Sequence, residues 1–105
     1  MPIRALDVDP AHCLIAGRWA PCASGARLRL INPSDGSTLC EIARGNADDI
    51  DRAVAAARAA YDGPWGRATA VERGRILYKT GVLVLENIDA LAQMEALDVG
   101  KPLSQ

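Results

Sequence analysis

The sequence predicts an α+β chain of two short β-hairpins followed by three helices. Two observations carry this expectation. Up to residue 43 short apolar stretches, two of them strictly alternating, are cut by turns of Gly, Pro, Asn and Asp, the mark of strands with one wet face. From residue 46 onward apolar residues recur at three- and four-residue spacing behind recognisable N-caps, the period of helices.

The elements follow in order. "HCLIAGRWAPC" (12–22) is an apolar run interrupted by Gly17, a residue that takes positive φ without penalty and so permits a reversal there. Ser24-Gly25 marks the next turn, and "RLRLI" (27–31) alternates as a strand. "NPSDG" (32–36) is a strong turn, because Pro33 fixes φ and Asp35-Gly36 suits a tight reversal. "STLCEIA" (37–43) alternates again, with Leu39 and Glu41 on one face and Thr38, Cys40 and Ile42 on the other. Residues 12–43 fit two antiparallel hairpins or a single meander, with two hairpins the expectation.

Asn46 is the N-cap of the first helix, and Asp48 and Asp49 sit where the helix dipole favours acids. Ile50, Val54, Ala57 and Tyr61 form its apolar stripe, and Asp62-Gly63-Pro64 stops it. "TAVE" (69–72) is a capping box that opens a second helix through Glu86. Asn87 is a new N-cap, and the third helix, 88–98, buries Leu91, Met94 and Leu97. Gly100, Lys101 and Pro102 end it.

Composition narrows the function classes. The chain has 105 residues, half of them apolar, but no Phe, and much of the apolar content is Ala, which supplies little buried area per residue. A net charge of −1 with mixed signs gives no reason to expect nucleic acid or an anionic membrane as partner. "GVLVLENIDALA" is broken by Glu86, Asn87 and Asp89, so it does not span a bilayer. No stretch of signal-peptide character opens the chain. The three cysteines, Cys13, Cys22 and Cys40, are odd in number and lack CxxC spacing, which suggests neither a disulfide framework nor a zinc site; a reducing cytoplasm is the expected compartment.

Three chemical motifs fail on inspection. Gly100-Lys101 is preceded by a helix and followed by Pro102, whereas a phosphate loop needs GxxxxGK[ST] between strand and helix. His12 and Cys13 are adjacent in a strand, so their side chains point to opposite faces and form no nucleophile–base pair. Asp48, Asp49 and Asp51 spread around a first helical turn, a solvated, dipole-stabilising arrangement rather than a metal site.

Five stretches then occur in order: "IAGRW" (15–19), "INPSDG" (31–36), "DIDRAVAAARAAYDGPW" (49–65), "TAVERGRIL" (69–77) and "EALDVGKP" (95–102). Together they resemble the N-terminal part of the NAD(P)-dependent aldehyde dehydrogenase superfamily, and are most similar to its betaine-aldehyde and broad-specificity branches. The resemblance covers residues 12–105, as the N-terminal part of a truncated cofactor-binding domain, and leaves 1–11 as an N-terminal tail. It implies a much larger α/β enzyme with a Rossmann-type domain, NAD or NADP as cofactor, an aldehyde oxidised to a carboxylic acid, and a homo-oligomer, dimer or tetramer. In that family a cysteine thiolate attacks the aldehyde, hydride passes to the cofactor, and a glutamate-activated water hydrolyses the thioester.

The resemblance places those groups, and the cofactor contacts, downstream of this chain. Cys13, Cys22 and Cys40 do not share the nucleophile's context, so no catalytic and no cofactor-binding residue is expected here, and the chain alone is expected to be inactive and, with apolar stripes uncovered, to self-associate. One family site does reach this region: a monovalent cation, potassium or sodium, held by two backbone carbonyls and an acid. The matching positions are Leu30 and Ile31 for the carbonyls and Asp98 for the carboxylate, oxygen ligands suited to a hard cation. The plainer role for Asp98 is to accept hydrogen bonds at the helix end. Ala96 and Val99 stand where the family usually carries small polar residues. An alternative reading is a stand-alone interaction module that binds or regulates a full-length homologue; a third is an unrelated small α+β domain.

Overall fold

The computed structural model describes residues 8–104. In chain order the elements are β1 (Cys13–Ile15), β2 (Arg18–Ala20), β3 (Arg27–Ile31), β4 (Thr38–Ala43), α1 (Ala47–Asp62), α2 (Pro64–Arg67), α3 (Ala70–Glu86) and α4 (Ile88–Val99). The strands form two separate antiparallel pairs, β1–β2 and β3–β4, so the two-hairpin form holds and the meander does not. Residues 1–7 of the expected N-terminal tail lie outside the described residues. The end of that tail is tied down, because the Ala43 N–H donates to the Pro10 carbonyl at 2.8 Å.

The first hairpin turns in two residues, with Ile15 opposite Arg18. Ala16 and Gly17 both take positive φ, 53° and 73°, as a two-residue turn matched to strand twist requires. In the second hairpin the loop 32–37 is held by its own side chains. The Asn32 N–H donates to the Ser37 carbonyl, and the Gly36 N–H to the Asn32 carbonyl. Asn32 Oδ1 accepts from the Ser34 N–H, and Asp35 Oδ1 accepts from both the N–H and the hydroxyl of Ser37.

Strict alternation fails at one point in β4. Leu30 pairs with Cys40 but Ile31 pairs with Thr38, so Leu39 is an extra, unpaired residue. A bulge of this kind re-aims side chains beyond it. Leu39 therefore shares a groove with Leu30 and Ile42, not the opposite face that alternation assigned to it.

The helices keep their expected bounds to within a residue, with one addition. Gly63 ends α1 without a left-handed conformation, and Pro64 opens the single turn α2, Pro being pre-set for a first helical position. A side chain at Gly66 would collide with the Tyr61 carbonyl oxygen, so this turn folds against α1 only with glycine there. Thr69 and Glu72 form the reciprocal capping box. Asn87 separates α3 from α4, but its side-chain amide donates back to the Leu83 carbonyl at 2.8 Å and makes no cap on α4.

Little of this architecture is closed. Among the described residues the only buried apolar residue is Cys22, 6% exposed, and the only buried polar one is Asp49, 3% exposed. A compact chain of this mass exposes about 5,700 Å²; this one exposes 7917 Å². Its radius of gyration is 16.7 Å, against about 13 Å for a compact chain of this length. The α1 stripe of Ile50, Val54 and Tyr61 faces solvent, and no residue of α3 is buried.

Asp49 joins the loop after the first hairpin to α1. Its carboxylate accepts from the Asn46 N–H at 2.9 Å, the Ala23 N–H at 3.0 Å and the Arg52 guanidinium. The Asn46 N–H, then Arg52, then the Ala23 N–H hold its pKa below the ordinary 3.8. A carboxylate whose folded pKa is depressed contributes stability that is present above its unfolded pKa and is lost as pH falls through the folded value. Asp49→Asn is therefore expected to lower the thermal midpoint at neutral pH and to flatten its decline below about pH 4, as followed by circular dichroism melts across a pH series.

Candidate functional site

A groove of about 410 Å³ runs between the second hairpin and α4. The residues that matter on its walls are Leu30, Leu39 and Ile42 from the sheet, and Leu91, Leu97 and Asp98 from the helix. Its lining is mostly apolar, and Asp98 and Glu95 are its acidic members. The end of α4 is fixed against the hairpin by one close approach. Gly100 takes the left-handed conformation at φ 72° as the C-cap, and its N–H donates to the Ala96 carbonyl at 3.0 Å. A Cβ on Gly100 would stand 3.2 Å from Pro33 Cγ. The turn "NPSDG" and the "GKP" stop are thus neighbours in space.

Of the expected cation ligands, Leu30 and Asp98 border this one groove. Ile31, next to Leu30 on β3, is 42% exposed and lies outside the groove wall. Asp98 is exposed, and its carboxylate makes no hydrogen bond among the described residues. The plainer role of accepting hydrogen bonds at the helix end is thus absent among those residues. Among them no cluster of three or more His, Cys, Asp or Glu is grouped to hold a metal ion, and no helix is long and apolar enough to cross a membrane.

The remaining sequence candidates separate cleanly. His12 pairs with Asp9 through Nδ1 and not with Cys13, in keeping with the failure of the dyad. Within the acidic cluster Asp48 and Asp51 are exposed, as a solvated first turn requires. Asp49 is the correction: it is buried, and it bonds a backbone 26 residues earlier in the chain. The spacing Asn46-x-x-Asp49 is the signal for it, since an acid at N3 reaches back to the cap N–H. The reach to Ala23 has no local signal. A second feature went unread in the sequence, the approach of Cys13 to Cys22 at 3.1 Å between sulfurs.

Comparison with known proteins gives a consistent result. The sequence model of the aldehyde dehydrogenase family matches residues 19–105. The human mitochondrial 10-formyltetrahydrofolate dehydrogenase is 45% identical over 92 residues, 87% of this chain and 10% of that protein. The mitochondrial aldehyde dehydrogenase of Rattus norvegicus is 41% identical over 103 residues, 96% of this chain and 20% of that protein. Among solved structures, the NAD+ complex of an aldehyde dehydrogenase from Bacillus cereus superposes with a TM-score of 0.89 at 35% identity, covering 97% of this chain and 21% of that one. The chain therefore spans about a fifth or less of the length of these relatives.

The glycines give a test of the geometry that positions the groove. Gly100→Ala is expected to destabilise the chain by about 1–2 kcal/mol, the penalty of a left-handed L-residue. Gly81→Ala, at an open helical position with nothing within 4 Å, is expected to stabilise it by about 0.5–1 kcal/mol. Urea unfolding midpoints of the two variants read these opposite signs.

Proposed function

The chain belongs to the aldehyde dehydrogenase family, and we propose that it forms the N-terminal part of the cofactor-binding domain of an NAD(P)-dependent enzyme oxidising an aldehyde to a carboxylic acid. The observation that carries this reading is the superposition of nearly the whole chain on a fifth of an NAD+-bound family structure. The open faces of α1 and α3 support it physically. Ile50, Val54 and Tyr61 on α1, and Leu77 and Val84 on α3, are exposed, as surfaces are that belong against the rest of a larger domain.

In this reading the chain supplies scaffold. The cysteine nucleophile, the glutamate base and the cofactor contacts belong to other parts of the enzyme. Cys22 is buried, and its thiol is pushed up to about 11, first by its hydrogen bond to Cys13 and then by burial. A nucleophilic cysteine needs the opposite, a thiolate stabilised near neutral pH. The isolated chain is expected to produce no NADH from NAD+ with betaine aldehyde or a simple aliphatic aldehyde, followed at the nicotinamide absorbance. Turnover of either substrate would overturn the scaffold reading. The same preparation is expected to bind a hydrophobic dye and to self-associate with concentration.

The rim of the groove supports a cation role in the same reading. Asp98, whose carboxylate has no hydrogen bond among the described residues, lines the same groove as Leu30, and carbonyl and carboxylate oxygens suit a hard ion. Potassium or sodium would be held by the carbonyls of Leu30 and Ile31 with Asp98, and would tie the hairpin to the end of α4. Line broadening of the sodium nuclear resonance on adding the protein is expected, and Asp98→Asn is expected to abolish most of it. Equal broadening by the variant would remove Asp98 from the ligand set.

A further inference from the structure

Cys13 and Cys22 are both free thiols, and their sulfurs lie 3.1 Å apart. The approach follows from the hairpin. Cys13 stands opposite Ala20, the last residue of β2, and Cys22 follows two residues later, where the chain leaves the hairpin. The backbone after Cys22 is held independently, since the Ala23 N–H donates to the buried Asp49 at 3.0 Å. Both sulfurs are therefore positioned by bonds outside the pair. Closing the gap to a disulfide, about 2.05 Å, needs a movement of about 1 Å. Cys13 is half-buried and Cys22 is buried, so Cys13 is the sulfur a solute meets first. Cys40 is tied into the other hairpin, opposite Leu30 on β3.

We infer that Cys13 and Cys22 form a reversible dithiol–disulfide pair, a redox modification site separate from the groove and from aldehyde chemistry. The oxidant is a small-molecule disulfide of the oxidised-glutathione type. Cys13 as its thiolate attacks one sulfur of the oxidant, whose S–S bond breaks and releases one thiol. Cys22 then loses its proton to solvent and attacks Cys13 in the mixed disulfide, releasing the second thiol. Two protein thiols lose two electrons and two protons, and the oxidant gains both as two free thiols. The raised pKa of Cys22 fits its role as the resolving sulfur, protonated until the first step has occurred. The product clamps the open side of the first hairpin to the strap that carries Ala23 to Asp49.

The test is oxidation of the full chain with oxidised glutathione, in native buffer and in concentrated urea, followed by non-reducing tryptic mass spectrometry. Cleavage after Arg4, Arg18, Arg27, Arg29 and Arg44 separates the cysteines into peptides 5–18, 19–27 and 30–44. In urea, chain statistics favour the Cys13–Cys22 loop over the twice-longer Cys22–Cys40 loop by only about threefold. In native buffer the 5–18/19–27 link is expected to exceed that ratio by roughly tenfold or more, the order that prealigned groups gain over chain diffusion. Cys22→Ser is expected to lose the link and stop at a glutathione adduct on Cys13. Cys13→Ser is expected to leave Cys22 unmodified, and Cys40→Ser to retain the link. A native ratio equal to that in urea, a wild-type chain that halts as the Cys13 adduct, or modification confined to Cys40 would each overturn the inference.

Discussion

One carboxylate ties the loop after the first hairpin to the start of the first helix. Asp49 takes an N–H from its own cap, a guanidinium from one turn onward, and an N–H from the loop after the first hairpin. Two donors lie within three residues of Asp49 and the third lies 26 residues earlier, so the carboxylate ties the start of α1 to the backbone next to Cys22. A charged group buried this far is sustainable only because each oxygen is satisfied. Asp49 Oδ1 takes Ala23 and Arg52 while Oδ2 takes Asn46. The hydrophobic effect plays a small part in this joint, since Cys22, the only buried apolar residue among the described residues, is small.

That economy explains the shape of the rest. Helices that pack through alanine approach closely but remove little apolar area from water. The larger apolar residues of α1 and α3 sit on the outward faces. The surplus of exposed area over a compact chain, about 2,200 Å², exceeds the total buried in a standard interface between stable partners. A surface of that size is enough to pack against another layer of structure. In a doubly wound α/β domain such helices lie on a sheet, and the two strand pairs here, of two strands each, are too small to cover them.

The local grammar of the sequence was largely legible. Asn46, Thr69 and Gly100 each do what their residue type does best, as cap, capping box and left-handed stop. Both hairpin turns sit where glycine, proline and asparagine put them. What alternation could not supply was the bulge at Leu39, because one unpaired residue shifts every assignment on its side of the strand. Pro64 read as a stop, yet the same fixed φ that ends α1 also starts α2. Asn87 read as a forward cap, but its amide found the carbonyl behind it. The reach of Asp49 to Ala23 and the meeting of Cys13 with Cys22 are tertiary facts. For the second, a turn at Ala16-Gly17 brings Cys13 opposite Ala20, but the path from Ala20 to Cys22 lies outside the strand and has no local signal.

The groove shows how local signals become a site. "NPSDG" and "GKP" are unremarkable separately, a turn and a helix stop. The structure brings them together because Gly100 lacks a side chain where Pro33 packs. That contact sets the last turn of α4 near β3, and Asp98 and Leu30 line the same groove. Lys101, the residue a phosphate-binding reading would favour, lies outside this groove, beside Pro102 and Leu103. Among the described residues the charged members of the groove wall are Glu95 and Asp98, both acidic, in an otherwise apolar lining. Carboxylate oxygens suit a small cation and not a phosphate, so the cation role proposed for the "LDVGKP" stretch turns on Asp98 and not on Lys101.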